Sequence, residues 1–282
     1  MQTVLEIIKK TTDFFAAKQV ESPRLNAELL IGHALGLKRM QLYLQFERPL
    51  NDAELDKIRP LVRRRGQREP LQYILGETDF LGLRLKVDRR ALIPRPETEL
   101  LVERIRERLT APPARILDLG TGTGAIALVL AQSYPDAQAT GVDLSTEALA
   151  LAAENAQLCA LADRVTWREG SWFAAIGADE TFDLIVSNPP YLSPDETAAA
   201  EPEVRAYEPV TALTGAGADG RGDLSAIIAD ARAHLNTGGL LALETGIAQH
   251  AALMQEAQAA GYTQIESAQD LTGRDRFIFA RR

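Results

Sequence analysis

The spacing of apolar residues changes along this chain of 282 residues, and each change predicts a different kind of structure. Residues 3–68 carry apolar side chains at helical intervals, which predicts a group of amphipathic helices. Residues 71–76 and 80–87 are short apolar runs typical of strands, so we expect a hairpin with its turn near residues 77–79. The first part of the chain is therefore predicted to be helical and to be followed by a small β-module.

From residue 95 onwards, strand-like apolar runs alternate with helical ones. Such alternation predicts a mostly parallel sheet with helices on both faces. Ligands of these sheets bind at the carboxyl ends of the strands. The predicted strands, of which the last two form an antiparallel pair, are residues 115–119, 137–143, 165–168, 182–187, 240–244, 265–268 and 277–280.

One predicted strand ends in an unusual corner, Asn188-Pro189-Pro190-Tyr191. Two prolines fix φ and remove two backbone donors, so the strand over residues 182–187 must stop there. What remains are two acceptors, the Asn188 amide oxygen and the Pro189 carbonyl, with the Tyr191 ring beside them. This set suits a planar NH2 group, which is a poor nucleophile because its lone pair is delocalised. Acceptors that bind the developing positive nitrogen more tightly than the planar ground state lower the barrier to its reaction.

A glycine-rich turn supplies the second chemical signal, and it consists of Gly120, Thr121, Gly122, Thr123 and Gly124. It joins a predicted strand to a helical pattern, and its glycines let the backbone approach a ligand closely. The spacing G-x-G-x-G differs from the dinucleotide pattern G-x-G-x-x-G, although the turn alone would also allow NAD. Asp143 follows Gly120 by 23 residues, at another strand end, where a carboxylate can accept both hydroxyls of a ribose. Combined with the corner at Asn188, these residues point to S-adenosylmethionine as the cofactor.

The candidate residues share one position in the predicted sheet. Asp118, Gly120, Asp143 and Asn188 all fall at carboxyl ends of predicted strands, which favours a single site there. Asp118 is expected to orient the backbone rather than the ligand. Residues 193–222, rich in proline, glycine, alanine and acids, are expected to form a long loop over this edge of the sheet.

Composition limits the kind of protein without identifying it. The chain has 46% apolar and 25% charged residues, as expected of a soluble globular protein. It shows no apolar run of membrane-spanning length and no signal-peptide pattern near its first residues. The single cysteine, Cys159, agrees with a reducing cytoplasm. The three histidines lie far apart, so we expect no metal site.

Charge is distributed unevenly along the chain. Residues 1–70 carry a net charge of +4, and the remaining residues carry −12. An acidic catalytic part argues against nucleic acid as its direct substrate, because phosphate contacts dominate such binding. The basic cluster is Arg63, Arg64, Arg65 and Arg68. It is interpreted either as a helix end, where cations complement the dipole, or as a patch that binds a partner; the helix end is favoured.

Taken together, these motifs resemble the release-factor glutamine methyltransferases, also called PrmC or HemK. The resemblance covers nearly the whole chain, and its most specific segments are residues 93–99, 117–124, 170–173 and 187–191. It implies a class I S-adenosylmethionine-dependent methyltransferase, with a Rossmann-like, mostly parallel seven-stranded sheet. It also implies a small N-terminal helical domain that recognises the substrate (residues 1–70), a β-hairpin linker (71–92) and a catalytic domain (93–282).

The resemblance implies a specific reaction in the cytoplasm. A methyl group passes from S-adenosylmethionine to the side-chain amide nitrogen, N5, of the glutamine in the Gly-Gly-Gln motif of class I peptide chain release factors. The implied catalytic residues are Asn188, Pro189 and Tyr191, and Pro190 joins them in binding the substrate. The implied cofactor-binding residues are Gly120, Thr121, Gly122, Thr123, Gly124, Asp143, Trp172 and Asn188. Trp172 is expected to stack against the adenine.

Other interpretations of the same residues stay open. Adenine-N6 DNA methyltransferases share the Asn/Asp-Pro-Pro-Tyr corner, but they must flip a base and usually carry a basic recognition region. A cofactor-sensing module would use the glycine turn and Asp143, but it would have no use for the corner. Trp172 could serve core packing alone. Tyr191 could be structural, although its position after two prolines at a strand end favours exposure to the pocket. Glu99 is best explained as a first-turn carboxylate favoured by the helix dipole.

Overall fold

The structure is a computed structural model that describes residues 2–282, and its chain divides into two compact units. The helical unit comprises the chain up to Gly76 together with Glu201–Tyr207. The α/β unit comprises Glu77–Ala200 and Glu208–Arg282. This division places the first boundary at Gly76, whereas the sequence predicted boundaries after residues 70 and 92. Among the described residues, no helix combines the length and apolar character needed to cross a membrane.

The helical unit is built around short amphipathic helices. A capping box starts the first of them, since Thr3 Oγ1 accepts from the Glu6 amide and Glu6 Oε2 accepts from the Thr3 amide. Asn51, rather than the neighbouring Asp52, caps the fourth in the same way with Glu54. The first five helices of the chain are α1 (Val4–Ala17), α2 (Pro23–Leu35), α3 (Arg39–Tyr43), α4 (Asp52–Gly66) and α5 (Leu71–Leu75).

The strand predicted over residues 71–76 is wrong, because this stretch forms α5. Gly76 ends the helix in the left-handed region, at φ +77°. Tyr73 and Ile74 are buried, and Ile74 joins an apolar cluster of the helical unit. Periodicity alone cannot separate a short buried helix from a strand. The hairpin lies a few residues later in the chain than predicted. Residues 77–79, predicted as its turn, belong to the strand β1 (Glu77–Phe80), which pairs with β2 (Leu83–Lys86).

The basic cluster at the end of α4 forms ion pairs within the helical unit. Arg65 is only 5% exposed and its Nη1 donates to Glu203 Oε1 over 3.0 Å. Arg68 Nε donates to the same oxygen over 2.6 Å, and the Tyr207 hydroxyl donates to the Gln67 carbonyl over 2.8 Å. These bonds hold Glu201–Tyr207 in the helical unit, although the chain before and after that segment belongs to the α/β unit.

The α/β unit has one sheet of seven strands in the order β5-β4-β3-β6-β7-β9-β8. The five strands from β3 to β7 are parallel to one another. The strand β9 is antiparallel to both of its neighbours, β7 and β8. The strands are β3 (Arg115–Leu119), β4 (Gln138–Asp143), β5 (Val165–Glu169), β6 (Phe182–Ser187), β7 (Leu235–Glu244), β8 (Thr263–Gln269) and β9 (Asp275–Arg281). The predicted Rossmann-like, mostly parallel seven-stranded sheet is confirmed.

Helices complete the α/β unit on both faces of this sheet. They are α6 (Pro96–Arg108), α7 (Ala125–Ser133), α8 (Thr146–Leu158), α9 (Pro194–Ala199), α11 (Gly222–His234) and α12 (His250–Ala259), while α10 (Pro202–Tyr207) groups with the helical unit. One apolar core contains residues of α6 and α7 and also takes in Phe80, Leu83 and Leu85 of the hairpin. The second core contains residues of α11 and α12. The hairpin is therefore packed into the α/β unit.

Candidate active site

The sheet register brings four strand ends together. Leu119 pairs with both Val142 and Ser187, and Ser187 pairs with Leu243. Because these strands are parallel, the next residue of each lies at the same carboxyl edge. Those next residues are Gly120, Asp143, Asn188 and Glu244. Three of the four were predicted from the sequence, and Glu244 was not.

The glycine turn takes the conformation that its composition favours. Gly120, Gly122 and Gly124 have φ angles of +69°, +55° and +81°, which residues other than glycine rarely adopt. The amides of Gly120 and Thr121 both donate to the Val142 carbonyl, over 2.8 and 3.0 Å. The turn is thus fastened to the neighbouring strand, and α7 begins directly after it.

Asp143 also fastens this turn. Its Oδ2 accepts from the Gly122 amide over 2.8 Å, and its Oδ1 accepts from the Ser145 amide over 2.9 Å. Burial raises the pKa of its carboxyl group, although these backbone donors favour the charged form. A carboxylate offers about four acceptor positions, so two bonds leave capacity for the hydroxyls of a ligand.

Asp118 lies behind the turn and is fully buried. Its Oδ2 accepts from the Thr121 hydroxyl over 2.5 Å and from the Ala127 amide over 3.2 Å. Burial raises the pKa of this carboxyl group from 3.8 to about 7. Within the described residues, Asp118 Oδ1 has no hydrogen-bond partner. These contacts agree with the expectation that Asp118 orients the backbone of the turn.

Trp172 lies beside the glycine turn. Its indole Nε1 donates to Asp223 Oδ1 over 3.2 Å, and its ring lies so close to Gly120 that an added Cβ there would meet Cζ3 at 3.4 Å. The ring lines the cavity and also packs against the second apolar core. Both interpretations of Trp172, stacking and packing, therefore have a structural basis.

The proline corner is arranged around Asn188. Its Nδ2 donates to Thr98 Oγ1 over 3.0 Å. Asn188 and Pro190 line the cavity, and Pro189 is buried. Tyr191 was expected to face the cavity, but among the described residues it is not one of those that line it. Its hydroxyl instead donates to Glu244 over 3.0 Å, because a buried carboxylate needs such donors.

Sequence reasoning missed two residues behind Asn188. Glu244 is 1% exposed, and its Oε2 accepts from the Thr98 hydroxyl over 2.8 Å. Burial raises the pKa of the Glu244 carboxyl group. The sequence held a signal for it, since Glu244 ends an apolar strand just as Asp143 does. Thr98 lies in the segment 93–99 that carried the family resemblance, but no local pattern marked its hydroxyl, and only the fold brings it to Asn188 and Glu244.

A cavity of about 630 Å³ unites these groups. Its lining includes residues of the glycine turn, Asp143 and Trp172, and also Thr98 with Asn188 and Pro190 of the proline corner. The segment predicted as a long loop, residues 193–222, instead contains the short helices α9 and α10, and a later part of it lines the cavity through Pro209, Thr211, Ala212 and Thr214. The volume lies in the range of small-molecule sites, and the donors and acceptors suit a nucleoside joined to a charged tail. The residues present therefore fit S-adenosylmethionine.

Comparison with known proteins gives matches over almost the whole chain. The family model described as the PrmC N-terminal domain matches residues 6–76, and the methyltransferase small domain matches residues 96–204. A release factor glutamine methyltransferase of Geobacter sulfurreducens is 45% identical over 99% of this chain and 96% of its own. Those of Deinococcus radiodurans and Salmonella typhimurium are 43% and 41% identical, over 98% and 93% of each chain.

Solved structures share the fold at lower identity. A methyltransferase from Pyrococcus furiosus superposes with a TM-score of 0.54 at 18% identity, over 71% of this chain and 89% of its own. A 16S rRNA methyltransferase from T. thermophilus, in complex with AdoMet and guanosine, gives 0.52 at 21% identity, over 73% and 49%. These likenesses show a common methyltransferase architecture.

Proposed function

The chain belongs to the family of release factor glutamine methyltransferases, and from this premise we propose that it methylates N5 of the glutamine in the Gly-Gly-Gln motif of class I peptide chain release factors. The family, the enzyme class and the methyl donor inferred from the sequence motifs are confirmed. The proposal further holds that the reaction is cytoplasmic and that nucleic acid is not the direct substrate.

One observation carries the proposal: two kinds of chemistry lie at adjacent strand ends of a single cavity. Asp143, at the end of β4, and Asn188, after β6, flank the end of β3 on opposite sides. The carboxylate that we propose for the nucleoside, Asp143, and two residues of the corner that we propose for the amide, Asn188 and Pro190, line the same cavity. A cofactor sensor would need only the first of them.

The cofactor-binding side consists of the glycine turn, Asp143 and Trp172. The amides of the turn and the free acceptor positions of Asp143 would hold the nucleoside, and the Trp172 ring would lie beside its base. Bound S-adenosylmethionine would supply a methyl group on a positively charged sulfur: the C–S bond would break as the C–N bond forms, the sulfur would leave as a neutral thioether, and the methylated nitrogen would lose one N–H proton to solvent. The task left to the protein is to hold the substrate nitrogen in line with that methyl group and to favour its attack.

Asn188 and Pro189 perform that task in our proposal. The Asn188 amide oxygen and the Pro189 carbonyl accept the two N–H groups of the glutamine side chain. As the nitrogen gains positive charge its N–H groups become stronger donors, so the bonds tighten in the transition state. Pro189 and Pro190 keep the corner rigid because their φ angles are fixed.

The substrate protein would be recognised by the helical unit. Its residues 1–70 carry a net charge of +4, opposite in sign to the rest of the chain, which makes it a distinct surface for a partner. The proposed domain roles are therefore recognition by the helical unit and methyl transfer by the α/β unit.

Mass spectrometry of a release factor after incubation with enzyme and S-adenosylmethionine tests the proposal. We expect one added methyl group on the peptide that contains Gly-Gly-Gln, located on the glutamine side chain. The Asn188→Ala variant should lower turnover by about 10²–10³ while it leaves cofactor affinity nearly unchanged. Duplex DNA with labelled cofactor serves as a parallel substrate. Labelled DNA together with an unmodified release factor would refute the proposal and indicate an adenine-N6 DNA methyltransferase instead.

A further inference from the structure

Asn188 reaches a buried carboxylate through a single hydroxyl group. Its Nδ2 donates to Thr98 Oγ1 over 3.0 Å, and Thr98 Oγ1 donates to Glu244 Oε2 over 2.8 Å. Thr98 is 4% exposed and Glu244 is 1% exposed, so bulk water has little access to this chain of bonds. The other oxygen of Glu244 accepts the Tyr191 hydroxyl over 3.0 Å.

The direction of these bonds follows from their chemistry. Burial raises the pKa of Glu244, but the Thr98 and Tyr191 hydroxyls and the nearby charge of Arg276 favour its ionised form. An ionised carboxylate only accepts hydrogen bonds, and a threonine hydroxyl has one hydrogen to give. That hydrogen goes to Glu244, so the Thr98 oxygen can only accept from Asn188. The Asn188 NH2 group therefore faces Thr98, and its Oδ1 faces the other way. A flipped amide would set a lone pair of Asn188 against a lone pair of Thr98.

We propose that Glu244, acting through Thr98, fixes the Asn188 side chain in the orientation that presents its oxygen to the substrate nitrogen. This inference rests on the proposed function, in which Asn188 Oδ1 is an acceptor for the glutamine NH2 group. A flipped Asn188 would present two donors to a group that also donates. Glu244 is thus a positioning residue, since it acts through Thr98 and not on the reacting atoms.

A buried carboxylate at position 244 lowers the stability of the fold, which argues that Glu244 has a functional role. Leu240, Leu241, Ala242 and Leu243, which precede it in β7, are all apolar and buried, and an apolar side chain would suit the strand equally well. Burial of a carboxylate costs free energy that hydrogen bonds only partly offset.

The same carboxylate also anchors the far end of the corner. Tyr191 donates to Glu244 Oε1, and Arg276 Nη1 lies 3.4 Å from the Tyr191 hydroxyl and donates to the Thr245 carbonyl over 3.0 Å. Glu244 therefore holds the two polar side chains of the corner, Asn188 and Tyr191, with one oxygen each. A change at Glu244 should misplace the acceptor without touching the glycine turn.

Three substitutions in the full-length enzyme separate positioning from packing. Glu244→Gln keeps the shape but can donate to Thr98, which allows the hydroxyl to reverse and Asn188 to flip. Thr98→Val keeps the shape and removes the relay, whereas Thr98→Ser keeps the hydroxyl. With a purified class I release factor as substrate, we expect kcat to fall by about 10- to 100-fold in Glu244→Gln and Thr98→Val. The KM for the release factor and the cofactor Kd should stay within about twofold, and Thr98→Ser should restore most of kcat.

Thr245→Val is the matched control. Thr245 is fully buried beside Glu244, but its hydroxyl contacts His250 Nε2 and the Arg276 carbonyl. This substitution should lower thermal stability about as much as Thr98→Val does, and it should leave kcat unchanged. An equal loss of kcat in both variants would reduce the role of Thr98 to packing and would overturn the proposal.

A double-variant cycle tests whether Glu244 acts through Asn188. In the Asn188→Ala background, Glu244→Gln should lower kcat by less than about twofold, because no amide remains to be oriented. Full additivity of the two losses, or a normal kcat in Glu244→Gln, would overturn the proposal.

Nuclear magnetic resonance of the Asn188 side-chain amide gives an answer that does not depend on activity. Glu244→Gln and Thr98→Val should shift its NH2 signals, and Thr245→Val should not. An enzyme that fails to methylate any release factor but shows these shifts would refute the proposed substrate and keep the positioning role. Unshifted signals in both variants would refute the positioning role itself.

Discussion

The Gly122 amide donates to Asp143 Oδ2 over 2.8 Å, which ties the glycine turn after β3 to the acidic end of β4. One carboxylate thus shapes the turn and faces the cavity at the same time. The two parts of the predicted cofactor site depend on each other, so a change at Asp143 should affect both.

Asp143→Ala should weaken the binding of S-adenosylmethionine by about 2–3 kcal/mol, because the ribose hydroxyls lose charge-assisted bonds and the turn loses an anchor. Titration calorimetry measures this directly. Asp136→Ala, at an exposed position before β4, is the control and should bind the cofactor normally. Unchanged affinity in Asp143→Ala would remove Asp143 from the cofactor site.

Asp118 should make stability depend on pH. Burial raises the pKa of its carboxyl group from 3.8 to about 7, so between these values the unfolded chain has released a proton that the folded chain still holds. The free energy of unfolding therefore falls as pH rises through this window and levels off above it. Asp118→Asn cannot titrate. We expect it to gain about 2–3 kcal/mol relative to the unsubstituted enzyme between about pH 5 and about pH 8.

Urea denaturation at several pH values measures that difference. The absolute stability of Asp118→Asn also reflects its altered bonds to Thr121 and Ala127, so the slope with pH is the informative quantity. A difference between the two proteins that stays constant with pH would show that Asp118 is ionised in the folded state throughout.

The parts of the site that the sequence could predict are those encoded locally. A glycine turn, an acid at a strand end and a double proline each fix their own backbone, and parallel pairing then brings Gly120, Asp143 and Asn188 together. Thr98 could not be found in this way, because it meets Glu244 across 146 residues of chain. The hydrogen bond from Tyr191 to Glu244 could not be predicted for the same reason, since Glu244 lies on β7.

Helix and strand were confused only where the sequence is short and apolar. Residues 71–75 span little more than one helical turn, which is too short for periodicity to separate a helix from a strand. Their burial in the helical unit and the left-handed Gly76 decide for a helix. The strands β3, β4 and β6 were predicted closely because each of them ends at a motif, whereas the first half of β7 was not predicted.

A fragment that starts at Glu77 should bind S-adenosylmethionine and lose most activity on an intact release factor. A start near Arg89 would be too late, because Phe80, Leu83 and Leu85 pack into the core of the α/β unit. The Glu77 fragment keeps these residues and removes the proposed recognition surface. It also removes Arg65 and Arg68, the cations that pair with Glu203.

Calorimetry and methylation assays on this fragment separate the two roles. The control is Arg68→Ala in the full chain, which removes one cation from Glu203 but leaves the buried bonds of Arg65 to Asn26 and to the Glu69 carbonyl. Activity lost in the fragment and largely kept in the control would assign recognition to the helices themselves. Normal methylation of the intact factor by the fragment would refute the recognition role.

The last prediction concerns the choice of glutamine over asparagine. Asn188 and the Pro189 carbonyl can accept both hydrogens of any planar NH2 group, so they do not discriminate between the two amides. Selectivity must come from reach: asparagine is one methylene shorter and holds its nitrogen about 1.5 Å back. Misplacement on that scale costs about 10²-fold in rate, because transfer needs the nitrogen in line with the methyl group. A release factor with Gly-Gly-Asn should therefore be methylated at least about 10²-fold more slowly than one with Gly-Gly-Gln.

Mass spectrometry over a time course measures both rates, and a Gly-Gly-Glu factor, which has no NH2 group, sets the background. Comparable rates on glutamine and asparagine would mean that the corner moves to meet its substrate, against the rigidity that Pro189 and Pro190 give it.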